Sequence, residues 1–353
     1  MKTLIKRLYT TKNLAKDQWI YLFDHQNDNT DVYLYQLARE VTHETYGNQI
    51  FIRGLIEFTN YCKNDCYYCG IRRSNPHVKR YRLTKAEILQ CCETAYRFGY
   101  RTFVLQGGED PYFTDSRMVS ILSLIRSNYP DCAITLSIGE RSYESYKACF
   151  DAGAVRFLLR HETYCDSHYK KLHPPSMSGA GRKECLYHLK EIGYQIGTGF
   201  MVGSPFQTSE NLALDMMFIK SLNPQMVGIG PYITSKETPF KHQPCGTLKQ
   251  TLYILSLLRL MIPTLLLPAT TALGAMDKQG RILGIESGAN VLMQNITPAH
   301  KRGHYTLYEN KARAGDIDIG PNNPLFRELE QKGYQIAQTR GDSLNKKEVS
   351  YHV

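Results

Sequence analysis

A chain of 353 residues with 42% hydrophobic composition can bury a large core and has the length of an α/β barrel. No apolar run reaches the roughly 18 residues of a membrane span, and the start, Met1-Lys2-Thr3-Leu4-Ile5-Lys6-Arg7, lacks the apolar segment of a secretory signal. The 43 Lys and Arg against 33 Asp and Glu give a net charge of +10 without a basic run of the nucleic-acid-binding kind; a solvated basic surface and a cavity for an anionic ligand both account for it.

A cytoplasmic chain bound to neither membrane nor nucleic acid is therefore expected. Its 10 cysteines then argue for metal or reduced thiols rather than a disulfide framework.

In chain order, residues 14–45 read as one or two added helices covering the bottom of a barrel. Apolar, β-branched runs follow at 51–59 (IFIRGLIEF), 102–106, 133–138, 154–160, 195–202, 226–230, 264–270 and 290–294. They recur about every 30 residues, the size of a βα unit. Helical patterns fill the gaps. Thr84-Lys85-Ala86-Glu87 is a capping box opening a helix that runs to about Gly99. Others cover 114–128, 142–152, 178–193, 208–221, 246–260 and 278–287. Alternating strands and helices predict a parallel sheet, and eight repeats predict an α/β fold of the (β/α)8 barrel type. The expected organisation is an N-terminal helical extension (1–45), the barrel (46–312) and a polar C-terminal extension (313–353) packed on or near it.

The cysteine loop follows the first strand, so it lands at the C-terminal mouth where barrels place their chemistry. Cys62, Cys66 and Cys69 are spaced C-x3-C-x2-C with an aromatic before the third. Three thiolates hold three irons of a [4Fe–4S] cluster and leave the fourth open, whereas simple electron-transfer clusters take four cysteines. A structural zinc needs a fourth ligand, for which His77 is the nearest candidate. Three unrelated buried thiols are the remaining alternative. Cys91, Cys92, Cys132, Cys149, Cys165, Cys185 and Cys245 show no ligand spacing and read as ordinary thiols.

C-x3-C-x-aromatic-C after the first strand of such a barrel resembles the radical S-adenosylmethionine superfamily. The resemblance implies a [4Fe–4S] cluster held by Cys62, Cys66 and Cys69, whose open iron chelates S-adenosylmethionine. One-electron reduction then yields methionine and a 5′-deoxyadenosyl radical. It implies that the backbone of Tyr68 faces the adenine. Gly107-Gly108-Glu109 would bind the methionine ammonium, which wants a carboxylate and close backbone carbonyls; a plain turn is the alternative. Ser137 and Glu162, with Glu140 near them, suit ribose hydroxyls. Arg182 would hold the methionine carboxylate or else be a solvated helix-start arginine. Gly230, in Gly228-Ile229-Gly230-Pro231, would lie on the adenine side.

A finer likeness, from about residue 45 to residue 312, is to the HydE family of [FeFe]-hydrogenase maturases. It is carried by Leu105-Gln106-Gly107-Gly108-Glu109-Asp110-Pro111, Leu136-Ser137-Ile138-Gly139-Glu140, Arg160-His161-Glu162-Thr163, Pro268-Ala269-Thr270-Thr271-Ala272-Leu273-Gly274 and Gly288-Ala289-Asn290-Val291-Leu292-Met293. That likeness implies a small anionic or organometallic substrate handed on by another hydrogenase maturase, a scaffold GTPase that receives the product, and an electron donor such as ferredoxin or flavodoxin. Arg53, Thr135, Arg160, Thr270 and Thr271 are expected to bind that substrate, with Tyr305 and Tyr308 capping the cavity. Internal salt bridging of the arginines to Glu109, Glu140 or Glu162 and plain strand packing of the threonines are the alternatives. No cysteine follows Cys245, so the accessory [2Fe–2S] site of some HydE proteins is not expected. A methylornithine synthase is the nearest enzymatic rival, biotin synthase is a weaker one, and a non-enzymatic iron–sulfur carrier is the rival of another class.

Overall fold

A computed structural model describes residues 1–311, 319–320 and 322–345. The boundary expected at 312–313 lies outside the described residues. Three helices come first: α1 (Lys2–Thr11), α2 (Lys16–Asp24) and α3 (Asp28–Tyr46). The barrel then alternates β1 (Gln49–Thr59), α4 (Lys85–Arg97), β2 (Thr102–Gly107), α5 (Asp115–Asn128), β3 (Ala133–Ser137), α6 (Tyr143–Asp151) and β4 (Ala154–Leu158). It continues with α7 (Asp166–Leu172), α8 (Gly179–Ile192), β5 (Gln195–Thr198), β6 (Met201–Val202), α9 (Ser209–Leu222), β7 (Met226–Val227) and β8 (Gly230–Pro231). After α10 (Leu248–Met261), α11 (Thr271–Met276) and α12 (Gly280–Glu286) comes β9 (Val291–Asn295).

The capping box at α4 forms as its residue types dictate. The Thr84 hydroxyl accepts the Glu87 amide at 3.2 Å, and Glu87 accepts the Thr84 amide at 2.7 Å.

The strands run parallel in the order β1-β2-β3-β4-β5-β7, and β9 pairs the other edge of β1. The stretch 264–270, expected as a strand, makes only single bridges, Met226↔Leu266 and Pro268↔Val291. They span the seam between β7 and β9. The reason is local: Pro263 and Pro268 have no N–H to give a ladder. The expected strand 195–202 is likewise divided, into β5 and a short β6 that pairs β8 at the mouth.

The N-terminal helices do not cover the barrel bottom as expected. α2 packs on α9 and α3 on α10, along the flank, with Trp19, Leu22, Leu34 and Ala38 buried there. The floor is instead covered by the C-terminal extension. Its helix (Pro324–Gln331) leads to β10 (Gln335–Ala337), which pairs the first residues of β1. Beyond it the Arg340 carbonyl accepts the Thr102 hydroxyl at 2.8 Å, and Asp342 pairs with Arg156.

Candidate active site

Strand ends set the site. β1 delivers Cys62, Cys66 and Cys69, β2 delivers Gly107-Gly108-Glu109, β3 ends in Ser137, and β4 leads into Arg160 and Glu162. These residues line one cavity of about 340 Å³, together with Tyr68, Arg182, Gly230, Thr270, Thr271, Tyr305 and Tyr308. Small-molecule sites typically run to roughly 300–1,000 Å³.

The cysteine loop is braced by its own polar residues. Asp65 pairs with Arg72 at 2.7 Å, and Arg80 donates to the carbonyls of Ile71 and Arg72 at 2.8 and 2.6 Å. Gly108 passes close under the loop: a Cβ there would lie 2.2 Å from the Tyr61 carbonyl oxygen and 2.8 Å from the Cys62 Cβ. Glu109 faces Lys63 at 3.4 Å and Arg182 at 3.8 Å. Gly139, at φ 75°, leaves room for it, since a Cβ there would sit 2.1 Å from the Glu109 Cγ.

Arg182 is more tightly held than a solvated helix-start arginine. Its Nη1 donates to Glu140 at 2.6 Å and its Nε to the Arg160 carbonyl at 2.6 Å. Arg160 and Glu162 approach at 3.1 Å, yet the Arg160 Nε and Nη2 and the Glu162 Oε2 are buried without a hydrogen-bond partner. The Thr270 hydroxyl is also buried and unpartnered, while Thr271 and Tyr308 share a hydrogen bond at 3.0 Å. Such buried polar atoms are costly unless a ligand satisfies them.

The donor set fits a three-cysteine cluster. All three thiols are free and line the cavity, and no other Cys and no His lines it among the described residues. Nor do three or more His, Cys, Asp or Glu groups converge on a single metal-ion position among those residues. Burial, then the charge of the neighbouring cysteine, pushes Cys69 to about 12 and Cys66 well above its usual value; burial raises Cys62 too. A cationic metal centre would offset that cost and hold them as thiolates. The Glu162 oxygen, ion-paired with Arg160 but accepting no hydrogen bond, and the Glu109 carboxylate likewise fit the hydroxyls and ammonium of S-adenosylmethionine.

Tyr68 is aimed from behind by a residue not foreseen from sequence. Its hydroxyl lies 3.0 Å from His173 Nε2, while His173 Nδ1 lies 3.0 Å from the Tyr169 carbonyl. The carbonyl only accepts, so Nδ1 carries the proton and Nε2 accepts from Tyr68. Burial pushes His173 down to about 3 from 6.5. Between those values the unfolded chain binds the extra proton, so stability held above pH 6.5 is lost as pH falls toward 3. His173→Gln, which keeps a donor and an acceptor, is expected to flatten this acid limb by up to about 1.4 kcal/mol per pH unit, read from urea unfolding across the range.

Two expected residues are not brought to this site. Arg53 and Thr135 line a separate cavity of about 10 Å³ toward the floor, and Arg53 Nη1 donates to the Met226 sulfur at 3.0 Å. Strand geometry explains the depth. Arg53, Leu55 and Glu57 share one face of β1, and four residues at about 3.3 Å each put Arg53 about 13 Å below Glu57. Thr135 sits two residues below Ser137 for the same reason.

Glu57 and Lys311 do line the main cavity and were not singled out from the sequence. For Glu57 the signal was present: a charge inside an apolar strand, the argument applied to Arg53. Lys311 carried none.

The Radical SAM superfamily profile matches residues 56–219. The chain is 42% identical over 278 residues to the [FeFe] hydrogenase maturase subunit HydE of Thermotoga maritima, covering 79% of each chain. It is 29% identical over 307 residues to the 3-methylornithine synthase of Methanosarcina barkeri, covering 86% of this chain and 85% of that one. Among solved structures it is similar to methylornithine synthase (PylB), with a TM-score of 0.82 and 26% identity over 95% of this chain and 97% of the other.

Proposed function

This chain belongs to the radical SAM superfamily and, within it, to the HydE family of hydrogenase maturases, and from that premise we propose that it cleaves S-adenosylmethionine reductively and acts in assembly of the [FeFe]-hydrogenase diiron subcluster. The observation that carries the reading is one cavity in which three free thiols, the Gly107-Gly108-Glu109 segment and Arg160 face one another. When bound, the cluster and its cosubstrate supply one electron and a breakable sulfur–carbon bond, giving methionine and a 5′-deoxyadenosyl radical.

The chain's own residues do the rest. Cys62, Cys66 and Cys69 hold three irons. Glu109 accepts the methionine ammonium, and Arg182 meets the carboxylate with guanidinium geometry suited to it. Ser137 and Glu162 accept the ribose hydroxyls, while the Tyr68 backbone and Gly230 border the adenine. Leu55, Met201, Met226 and Met293 form an apolar wall that excludes water from a reactive intermediate. Arg160, Thr270, Thr271 and Tyr308 bind a small anionic or organometallic substrate, with Tyr305 beside them. Family membership supports a second maturase as its source, a scaffold GTPase as the acceptor, and ferredoxin or flavodoxin as the electron donor. Free cysteines support a cytoplasmic setting. No helix among the described residues is long and apolar enough to cross a membrane.

The direct test is release of methionine and 5′-deoxyadenosine by the anaerobically reconstituted, reduced protein; a reduced cluster that yields neither overturns the reading. Arg160→Ala is expected to spare that cleavage and lower turnover of the second substrate roughly 10- to 100-fold, the loss of a charged hydrogen bond. Unchanged turnover would remove Arg160 from the substrate site.

A further inference from the structure

The inner wall of the cavity carries a charge pair that the functional reading leaves unused. Glu57 is fully buried in β1, where a lone carboxylate would be prohibitively costly. Its Oε2 accepts the Asn295 amide at 2.9 Å, and its Oε1 is paired with the Lys311 ammonium. Lys311 is itself 9% exposed and lies 4.9 Å from the centre of the Tyr305 ring. Glu57, Lys311 and Tyr305 all line the cavity.

The other cavity charges are also matched within the chain. Arg182 faces Glu140 and Glu109, and Arg160 faces Glu162. A ligand whose side chain ends in an ammonium needs a carboxylate of its own in a site this dry. Glu57 is the buried carboxylate on the inner wall, and Lys311 already occupies it.

Building on the functional reading above, we propose that the Glu57–Lys311 pair is a specificity determinant: a built-in ammonium that excludes basic amino acids and selects a second substrate lacking a side-chain cation. The pair would then select through an unpaired charge set against the wrong ligand. The pair joins positions 254 residues apart, anchoring the segment after β9 to β1. A purely structural anchor predicts no change in ligand charge preference when either partner is altered.

The experiment titrates the full-length, cluster-reconstituted protein with S-adenosylmethionine present and no reductant, so that binding is read without turnover. The probes are L-lysine, L-2-aminoheptanoic acid (a methyl in place of the ammonium) and L-2-aminoadipic acid. Wild type is expected to bind lysine about tenfold or more weaker than its methyl isostere. Lys311→Met is expected to reverse that order, with Glu57→Gln added to Lys311→Met cancelling the reversal. Glu57→Gln alone, which leaves Lys311 as a free cation, is expected to favour 2-aminoadipate over lysine by a further tenfold or so. This variant decides the matter if Lys311→Met does not fold, because its effect runs in the opposite direction. Unchanged preference in the variants, or tight lysine binding by wild type, overturns the proposal. The cluster's paramagnetic response to S-adenosylmethionine is recorded on separately reduced aliquots of the same preparations, with and without S-adenosylmethionine: its absence in wild type counts against the functional reading, its presence with unmoved preferences against this inference alone.

Discussion

Cys66→Ala is expected to abolish S-adenosylmethionine cleavage and to leave the barrel folded. The fold survives because the loop is braced by groups other than this thiol. Asp65 holds Arg72, and Arg80 ties Ile71 and Arg72. The Cys66 sulfur itself makes a contact with the Met177 sulfur at 3.8 Å, too weak to hold the loop. Chemistry fails because no spare donor stands by: no fourth cysteine and no histidine lines the cavity among the described residues. Two thiolates cannot anchor three irons. Iron and acid-labile sulfide should fall to background after reconstitution, 5′-deoxyadenosine should be undetectable, and the far-ultraviolet spectrum and thermal midpoint should stay near wild type. Cleavage retained in this variant would remove Cys66 from the cluster.

Gly108→Ala is expected to be nearly as damaging, through backbone geometry rather than a lost ligand. The new Cβ would sit 2.2 Å from the Tyr61 carbonyl oxygen. That contact sets a Cβ fixed to the chain against backbone, so no side chain can swing away to relieve it. Either the cysteine loop or the Glu109 segment must shift, and both belong to one catalytic constellation. A displacement of about 1 Å in such a site costs on the order of 10²-fold in rate. Gly303→Ala is the control: nothing lies within 4 Å of its Cβ, and it should behave as wild type. Equal activity of the two variants would show that loop spacing is not critical.

What the sequence revealed, and what it hid, divides by distance along the chain. The cysteine loop, the glycine pair before Glu109 and the Thr84 capping box are local patterns, each complete within a dozen residues, so local chemistry announces them. Strand ends were placed well enough to bring Arg160, Thr270, Thr271, Tyr305 and Tyr308 to one cavity. Depth along a strand was harder. The sequence placed Arg53 and Thr135 in strands but did not show that they stop short of the mouth. Long-range pairing was harder still. A three-residue strand at Gln335–Ala337 has too little pattern to announce itself, yet it pairs β1 on the floor. The partnership of Glu57 with Lys311 exists only after the chain has folded. Prolines at 263 and 268 were visible in the sequence; their effect on the seventh strand was foreseeable from the missing N–H groups.

The most direct test of the central claim is electron paramagnetic resonance of the anaerobically reconstituted, reduced protein, with and without S-adenosylmethionine. A three-cysteine site predicts a [4Fe–4S] signal whose shape and g-values change when the molecule is added, because it binds the open iron. A cluster signal indifferent to S-adenosylmethionine would contradict the account and describe an iron–sulfur carrier instead.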